Sequence, residues 1–82
     1  MNLEIKTPEK IIFSGKVKSV YLKAADGEIG ILEGHAPLAT IISPGLIRYY
    51  PEKGEEVKLE GGNGFFCFQN ILGKLLYEQT HR

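Results

Sequence analysis

An all-β domain is what this sequence predicts: a two-sheet β-sandwich, or flattened barrel, of short and mostly antiparallel strands. Ten glycines and four prolines divide 82 residues into brief segments, the punctuation of a chain with many tight turns. Inside those segments apolar residues mostly alternate with polar ones, and no long stretch holds a convincing helical period. No repeat, low-complexity tract or linker interrupts residues 1–82, which read as a single domain. A domain of this length buries only about 60–65% of its unfolded surface, so its core is small.

Residues 2–7 form the first strand, with Leu3, Ile5 and Thr7 on one face and Asn2, Glu4 and Lys6 on the other. Pro8 interrupts the ladder because it has no amide hydrogen to donate. Ile11-Ile12-Phe13 is a short apolar run that ends at a Ser14-Gly15 turn. From Lys16 to Ala24 the pattern is mixed, since Val17, Val20, Tyr21 and Ala24 also suit one helix face. Its valines and tyrosine, set between Ser-Gly and Asp-Gly breakers, favour strand. The odd spacing from Val17 to Val20 implies a bulge. Asp26-Gly27 signals a hairpin, because glycine takes the positive φ such turns need. Ile29 and Ile31 then alternate around Gly30.

Gly34-His35-Ala36-Pro37 is a loop, and Leu38 to Ile42 is a further apolar strand. Pro44-Gly45 supplies the next turn. Leu46–Tyr50 and Glu56–Glu60 pair as a hairpin around Pro51-Glu52-Lys53-Gly54, and Gly61-Gly62-Asn63-Gly64 makes a flexible corner. Phe65–Gln69 and Leu72–Glu78 form a last hairpin, with Asn70 to Gly73 near its tip. Leu72, Leu75, Leu76 and Gln79 also recur at helical spacing, which leaves a short helix as the alternative for that final segment.

Ten basic residues balance ten acidic ones. Zero net charge argues against an electrostatic grip on nucleic acid or anionic lipid, either of which needs a surplus of Lys and Arg on one face. It also disfavours solubility in isolation, which suits a subunit of an assembly. Cys67 is the sole cysteine, so neither an internal disulfide nor a cysteine-based metal cluster is expected, and a reducing cytoplasmic setting follows. No apolar run approaches the roughly 20 residues that cross a bilayer as a helix. Met1 to Lys6 alternates in polarity and lacks the apolar core of a secretion signal.

Catalytic residue types are sparse. Cys67 with His35 or His81 forms a formal nucleophile–base pair, but Cys67 sits between Phe66 and Phe68, where a small packed side chain is the plainer reading. The histidines share no ligand-like spacing with carboxylates, and zinc needs three or four converging ligands. The glycines from Gly27 to Gly34 resemble a phosphate loop only loosely, because His35-Ala36-Pro37 follows them and no helix begins there. Lys16, Lys18 and Lys23 around Tyr21 could track a single nucleic-acid strand, yet lysines among nearby acids more often make a solvated strand face. No cofactor is implied.

Taken in order, several segments resemble the N-terminal domain of the epsilon subunit of bacterial and chloroplast F-type ATP synthase. Thr7-Pro8-Glu9, Phe13, Gly15 and Val17 are similar to the family's opening hairpin. The most specific stretch runs Gly27-Glu28-Ile29-Gly30-Ile31-Leu32-Glu33-Gly34-His35-Ala36-Pro37-Leu38, and Pro44-Gly45 and Gly64-Phe65 follow at the family's spacing. The resemblance covers nearly the whole chain. It implies a non-catalytic β-sandwich at the foot of the central stalk, touching the gamma subunit and the membrane c ring, so that proton-driven rotation of the ring reaches the shaft during ATP synthesis. It also implies a peripheral position on the cytoplasmic face of the bacterial inner membrane, without insertion. By motif position, Glu28, Ile29 and Gly30 face the ring, while Thr7, His35 and Thr40 face gamma.

Each of these has a plainer reading. Gly27 and Gly30 serve the turn, Ile29 and Ile31 pack in a core, Pro37 stiffens a loop, and Thr7 and Thr40 sit buried at a sheet edge. Glu28 favours contact, since a charge at a turn tip has little packing purpose. The sequence departs from the family in two respects. Relatives continue into two C-terminal helices that inhibit ATP hydrolysis and, in some bacteria, bind ATP. This sequence stops at Arg82, where the sandwich ends, and a naturally short form and a trimmed chain read alike there. The last hairpin, with Phe65-Phe66-Cys67-Phe68 and Asn70-Ile71-Leu72-Gly73, is more apolar than the family's usual tip, which predicts that Phe66 and Phe68 pack on gamma. Two alternatives stay open on sequence: a generic β-sandwich interaction module outside ATP synthase, and a small Cys/His hydrolase.

Overall fold

The computed structural model describes residues 1–69 and 71–78. Asn70, Gln79 and His81, which figure in the sequence reading, lie outside the described residues. Every regular element described is a strand: β1 (Asn2–Lys6), β2 (Ile11–Ala24), β3 (Gly27–Leu32), β4 (Leu38–Ile42), β5 (Gly45–Pro51), β6 (Val57–Gly61), β7 (Gly64–Gln69) and β8 (Leu72–Tyr77).

The long strand β2 joins the two layers. Its first half pairs antiparallel with β1, from Asn2↔Lys16 to Lys6↔Ile11. Its second half lies between β3 and β5. One layer therefore runs β2-β1-β8-β7-β4 and the other β3-β2-β5-β6, with Ala24↔Ile42 closing the gap between β2 and β4. All pairings are antiparallel except β1 with β8.

Ser14-Gly15 is not a turn, contrary to the sequence reading. Both residues lie inside β2, where Glu4 pairs Ser14 and Leu3 pairs Gly15. The glycine has a packing reason instead, because the Phe13 ring folds over it and a Cβ there would meet Phe13 Cζ at 3.2 Å. The reversal that closes β1 and β2 falls earlier, at Thr7–Lys10, where Thr7 N donates to Lys10 O at 2.9 Å and Lys10 N returns to Thr7 O at 3.3 Å. The bulge is present. The β2–β5 register shifts between Val17 and Ser19, which brings Val17 and Val20 both into the core despite their odd spacing.

Asp26-Gly27 closes the β2–β3 hairpin with Gly27 at φ 125°, a conformation that a side chain would oppose. Pro44 carries the chain from β4 in one layer to β5 in the other, and Ser43 N bonds Lys23 O at 2.8 Å on the way. The Gly61–Gly64 corner is pinned, not slack: Gly62 N bonds Glu78 O at 3.0 Å and Glu78 N bonds Asn63 O at 2.9 Å. The last segment is strand, not helix, with Gly73, Leu75 and Tyr77 inward and Leu72, Lys74 and Leu76 outward.

Alternate positions of both layers fill one core, which includes Leu3, Ile5, Leu22, Ile31, Ile47 and Phe66. Among the described residues no buried side-chain nitrogen or oxygen lacks a partner. Burial pushes the Tyr49 and Tyr77 phenols above their ordinary range, and for Tyr49 the neighbouring Tyr77 adds to the effect. Because the folded chain holds these protons more tightly than the unfolded one, their contribution is fully present below the unfolded value of about 10 and is lost as pH rises through the higher folded values. The urea midpoint is therefore expected to fall as pH is raised above about 10, and a Tyr49→Phe, Tyr77→Phe double variant to lose less of it.

Candidate interaction surface

Strand alternation decides what β7 shows to solvent. Phe66 (0% exposed) and Phe68 (4%) point into the core. The expectation that these two side chains form a partner contact is therefore corrected: their register puts them inside, and the outward positions of β7 belong to Phe65 and Cys67. Phe65 is 46% exposed, and its cross-strand neighbours are Ile41 on β4, 62% exposed, and Leu76 on β8, 49% exposed. The row ends at Lys6 on β1, beside Leu76. A second row runs alongside through Ala39, Cys67, Lys74 and Glu4. The outer face of this layer is thus apolar across β4 and β7 and gives way to Lys74, Lys6 and Glu4 toward β1. A shallow groove of about 480 Å³ crosses it, lined by Thr7, Pro8, Phe65, Cys67, Leu75 and Leu76 among others.

The residues expected to face gamma divide accordingly. His35, Thr40, Phe66 and Phe68 lie together. Thr40 pairs with Phe66 and Leu38 with Phe68, and the His35 ring stands edge-on to Phe68 at 6.2 Å. His35 is exposed, and its Nδ1 lies 2.6 Å from Ala36 O; a carbonyl only accepts, so that nitrogen carries the proton. Thr40 is half-buried and Thr7 is buried at the far end of the groove. Thr7 has a local task, since its Oγ1 accepts from Glu9 N and donates to Lys10 O, both at 3.4 Å. Cys67 is half-buried on the outer face and not in the core.

The residues expected to face the ring sit at the β2–β3 hairpin. Glu28 does have a structural partner, contrary to the sequence argument: Arg48 Nη2 lies 2.9 Å from its Oε2. Ile29 packs against the core, and Gly30 lies beneath the Tyr21 ring. Among the described residues no group of three His, Cys, Asp or Glu side chains converges as a metal site. The exposed apolar row of Ile41, Phe65 and Leu76 went unnoticed in the sequence. Its signal was there, because Phe65-Phe66-Cys67-Phe68 and Leu75-Leu76 place apolar residues on both faces of a strand.

A two-layer sandwich with one bare apolar face is a shape that many domains share, so comparison with known proteins decides the family. The model of the family described as ATP synthase, Delta/Epsilon chain, beta-sandwich domain matches residues 1–79. This chain belongs to that family. A chain of the Euglena gracilis mitochondrial ATP synthase, from a cryo-EM structure of OSCP/F1/c-ring in rotational state 1, superposes with TM-score 0.84 at 18% identity, over 94% of this chain and 49% of that one. A chain of the Tetrahymena thermophila mitochondrial ATP synthase, from a cryo-EM structure of its central stalk and c-ring, gives TM-score 0.79 at 14% identity, over 96% and 63%. At these identities the likeness establishes the shared fold. The delta/epsilon sandwich described here spans between about half and just under two thirds of those chains' length.

Proposed function

We propose that this chain is the sandwich of an epsilon-type central-stalk subunit, a non-catalytic adaptor that joins the c ring to the gamma subunit. The observation that carries the reading is the family match over residues 1–79, on a domain that leaves the Ile41–Phe65–Leu76 row exposed although its core is already filled. Exposed apolar side chains adjoining in register are what a partner surface needs. In this reading gamma covers that row, with His35 and Thr40 at one margin and Thr7 at the other. Glu28, Ile29 and Gly30 present the β2–β3 tip to the ring. The subunit then lies peripherally on the side of the membrane that bears the catalytic head, which in a bacterium is the cytoplasmic face of the inner membrane.

Binding to gamma tests it. Phe65→Lys and Leu76→Lys each put a charge into the row and are expected to weaken co-purification with gamma about tenfold or more, with the fold retained by circular dichroism. Unchanged capture of gamma by both variants removes the contact from this face. Nothing in the structure favours the generic interaction-module reading over this one.

A further inference from the structure

The opposite layer carries a polar cluster that neither the core nor the gamma-facing row uses. Tyr21 on β2 has Gly30 of β3 on one side and Arg48 of β5 on the other. The Arg48 guanidinium lies over the Tyr21 ring, 4.7 Å from its centroid. From there Nη2 reaches Glu28 on β3 at 2.9 Å and Nη1 reaches Glu56 Oε2 at 3.4 Å. The Tyr50 hydroxyl donates to that same Glu56 oxygen at 2.7 Å, and its ring stands edge-on to Tyr21 at 5.9 Å. Lys58 Nζ is 3.9 Å from the other Glu56 oxygen.

We infer that Arg48 is a positioning residue: stacked on Tyr21, it ties edge strand β3 to β5 across the intervening β2 and so fixes the direction of the β2–β3 tip. The register makes the tie unusual. Glu28 stands opposite Lys23, yet its bond goes diagonally over β2 to the next strand. Such a reach requires a flat floor. Gly30 provides it, because a Cβ there would sit 2.7 Å from Tyr21 Cε2 and lift the ring. Ile31 anchors the far half of β3 in the core, while the half nearest the tip, Gly27-Glu28, is exposed and pairs with β2 alone among the described residues. A guanidinium suits the role better than an ammonium: its planar fork bonds two carboxylates while its face rests on an aromatic ring. Glu56 is held below the usual carboxylate range, first by the hydrogen bond from Tyr50, so it stays an anion for Arg48 across the physiological range.

Amide hydrogen exchange on the whole chain tests the tie. Arg48→Met keeps the stem and loses the fork; it is expected to speed exchange of the β3 amides by about threefold or more while leaving β7 and β8 unchanged. Gly30→Ala is expected to do the same without touching Arg48. In a Tyr21→Leu background, where no ring remains to be lifted, Gly30→Ala is expected to add nothing. Unchanged β3 exchange in Arg48→Met overturns the inference, as does acceleration spread equally over β7 and β8. The consequence for the rotor rests on the proposed ring contact and is read separately, by proton pumping in the reassembled synthase. Accelerated β3 exchange with unchanged pumping retains the tie and removes the ring contact.

Discussion

Replacing Phe66 with alanine is expected to cost the domain about 3–5 kcal/mol, the usual range for a fully buried aromatic in a core that cannot close over the hole. Phe66 is fully buried, and its ring lies against Gly73 of β8, where Cζ comes within 3.2 Å of the position a Cβ would take. A chain of this length is stable by only about 4–12 kcal/mol, so the variant loses a large share of its margin. Each kcal/mol corresponds to a fall of about 4–8 °C in Tm at this size. The neighbouring Phe65→Ala is expected to cost under about 1 kcal/mol, because its ring is already half in water, and, on the proposed contact, to weaken gamma capture instead. Chemical denaturation of the two variants side by side checks the register of β7. A larger loss for Phe65→Ala than for Phe66→Ala would mean that the strand presents its other face to the core, since a one-residue slip exchanges every side chain.

That pair also shows where the sequence was legible. Alternation located β1 and β3, because one face of each meets the core, and turn residues bounded β4 and the β5–β6 hairpin. Leu3, Ile5 and Thr7 are buried together as their spacing implied. The odd Val17–Val20 step marked a true bulge. Ser14-Gly15 misled because a glycine beside a serine looks like a turn signal, whereas this glycine makes room for an aromatic ring from two residues earlier. Only a side chain's path across the strand distinguishes those two uses, and a linear sequence does not contain it. Apolar residues on both faces of β7 and β8 removed the alternation that reports direction. The hairpin's excess of apolar residues was therefore legible, while which of them face outward was not: Phe66 and Phe68 are buried and Phe65 is exposed.

The site was less legible than the fold for a related reason. Contacts between strands distant in sequence decide it. Ile41, Phe65 and Leu76 form a row only because β4, β7 and β8 pair in that order. Glu28 looked unemployed because its partner, Arg48, lies 20 residues away on a strand that β3 does not pair with. Motif order, by contrast, does not depend on knowing these contacts, which is why family membership could be read before the surface could.

Gly64 is the position where a single methyl group is expected to do the most harm. A Cβ there would collide with the carbonyl oxygen of Leu76 and would lie 2.7 Å from Tyr77 Cβ and 2.9 Å from Tyr77 Cα. Two of these are backbone atoms, so no rotamer change relieves the contact. Nor can the strands separate freely: bonds of 3.0 Å from Gly62 N to Glu78 O and 2.9 Å from Glu78 N to Asn63 O hold the corner to the end of β8. Gly64→Ala is expected to cost about 2–3 kcal/mol, the upper part of the overpacking range. Gly73→Ala, which meets mainly the Phe66 ring at 3.2–3.3 Å, is expected to cost at least about 1 kcal/mol less, because a ring shifts more easily than a ladder. Urea midpoints of the two variants decide the order, and equal or reversed losses would show that β7 and β8 are not clamped at this end. The same substitution bears on the proposed function, because Gly64 immediately precedes Phe65 in β7. Parting β7 from β8 here would misalign Phe65 with Leu76, so on the proposed gamma contact Gly64→Ala should weaken capture of gamma even at temperatures where the domain remains folded.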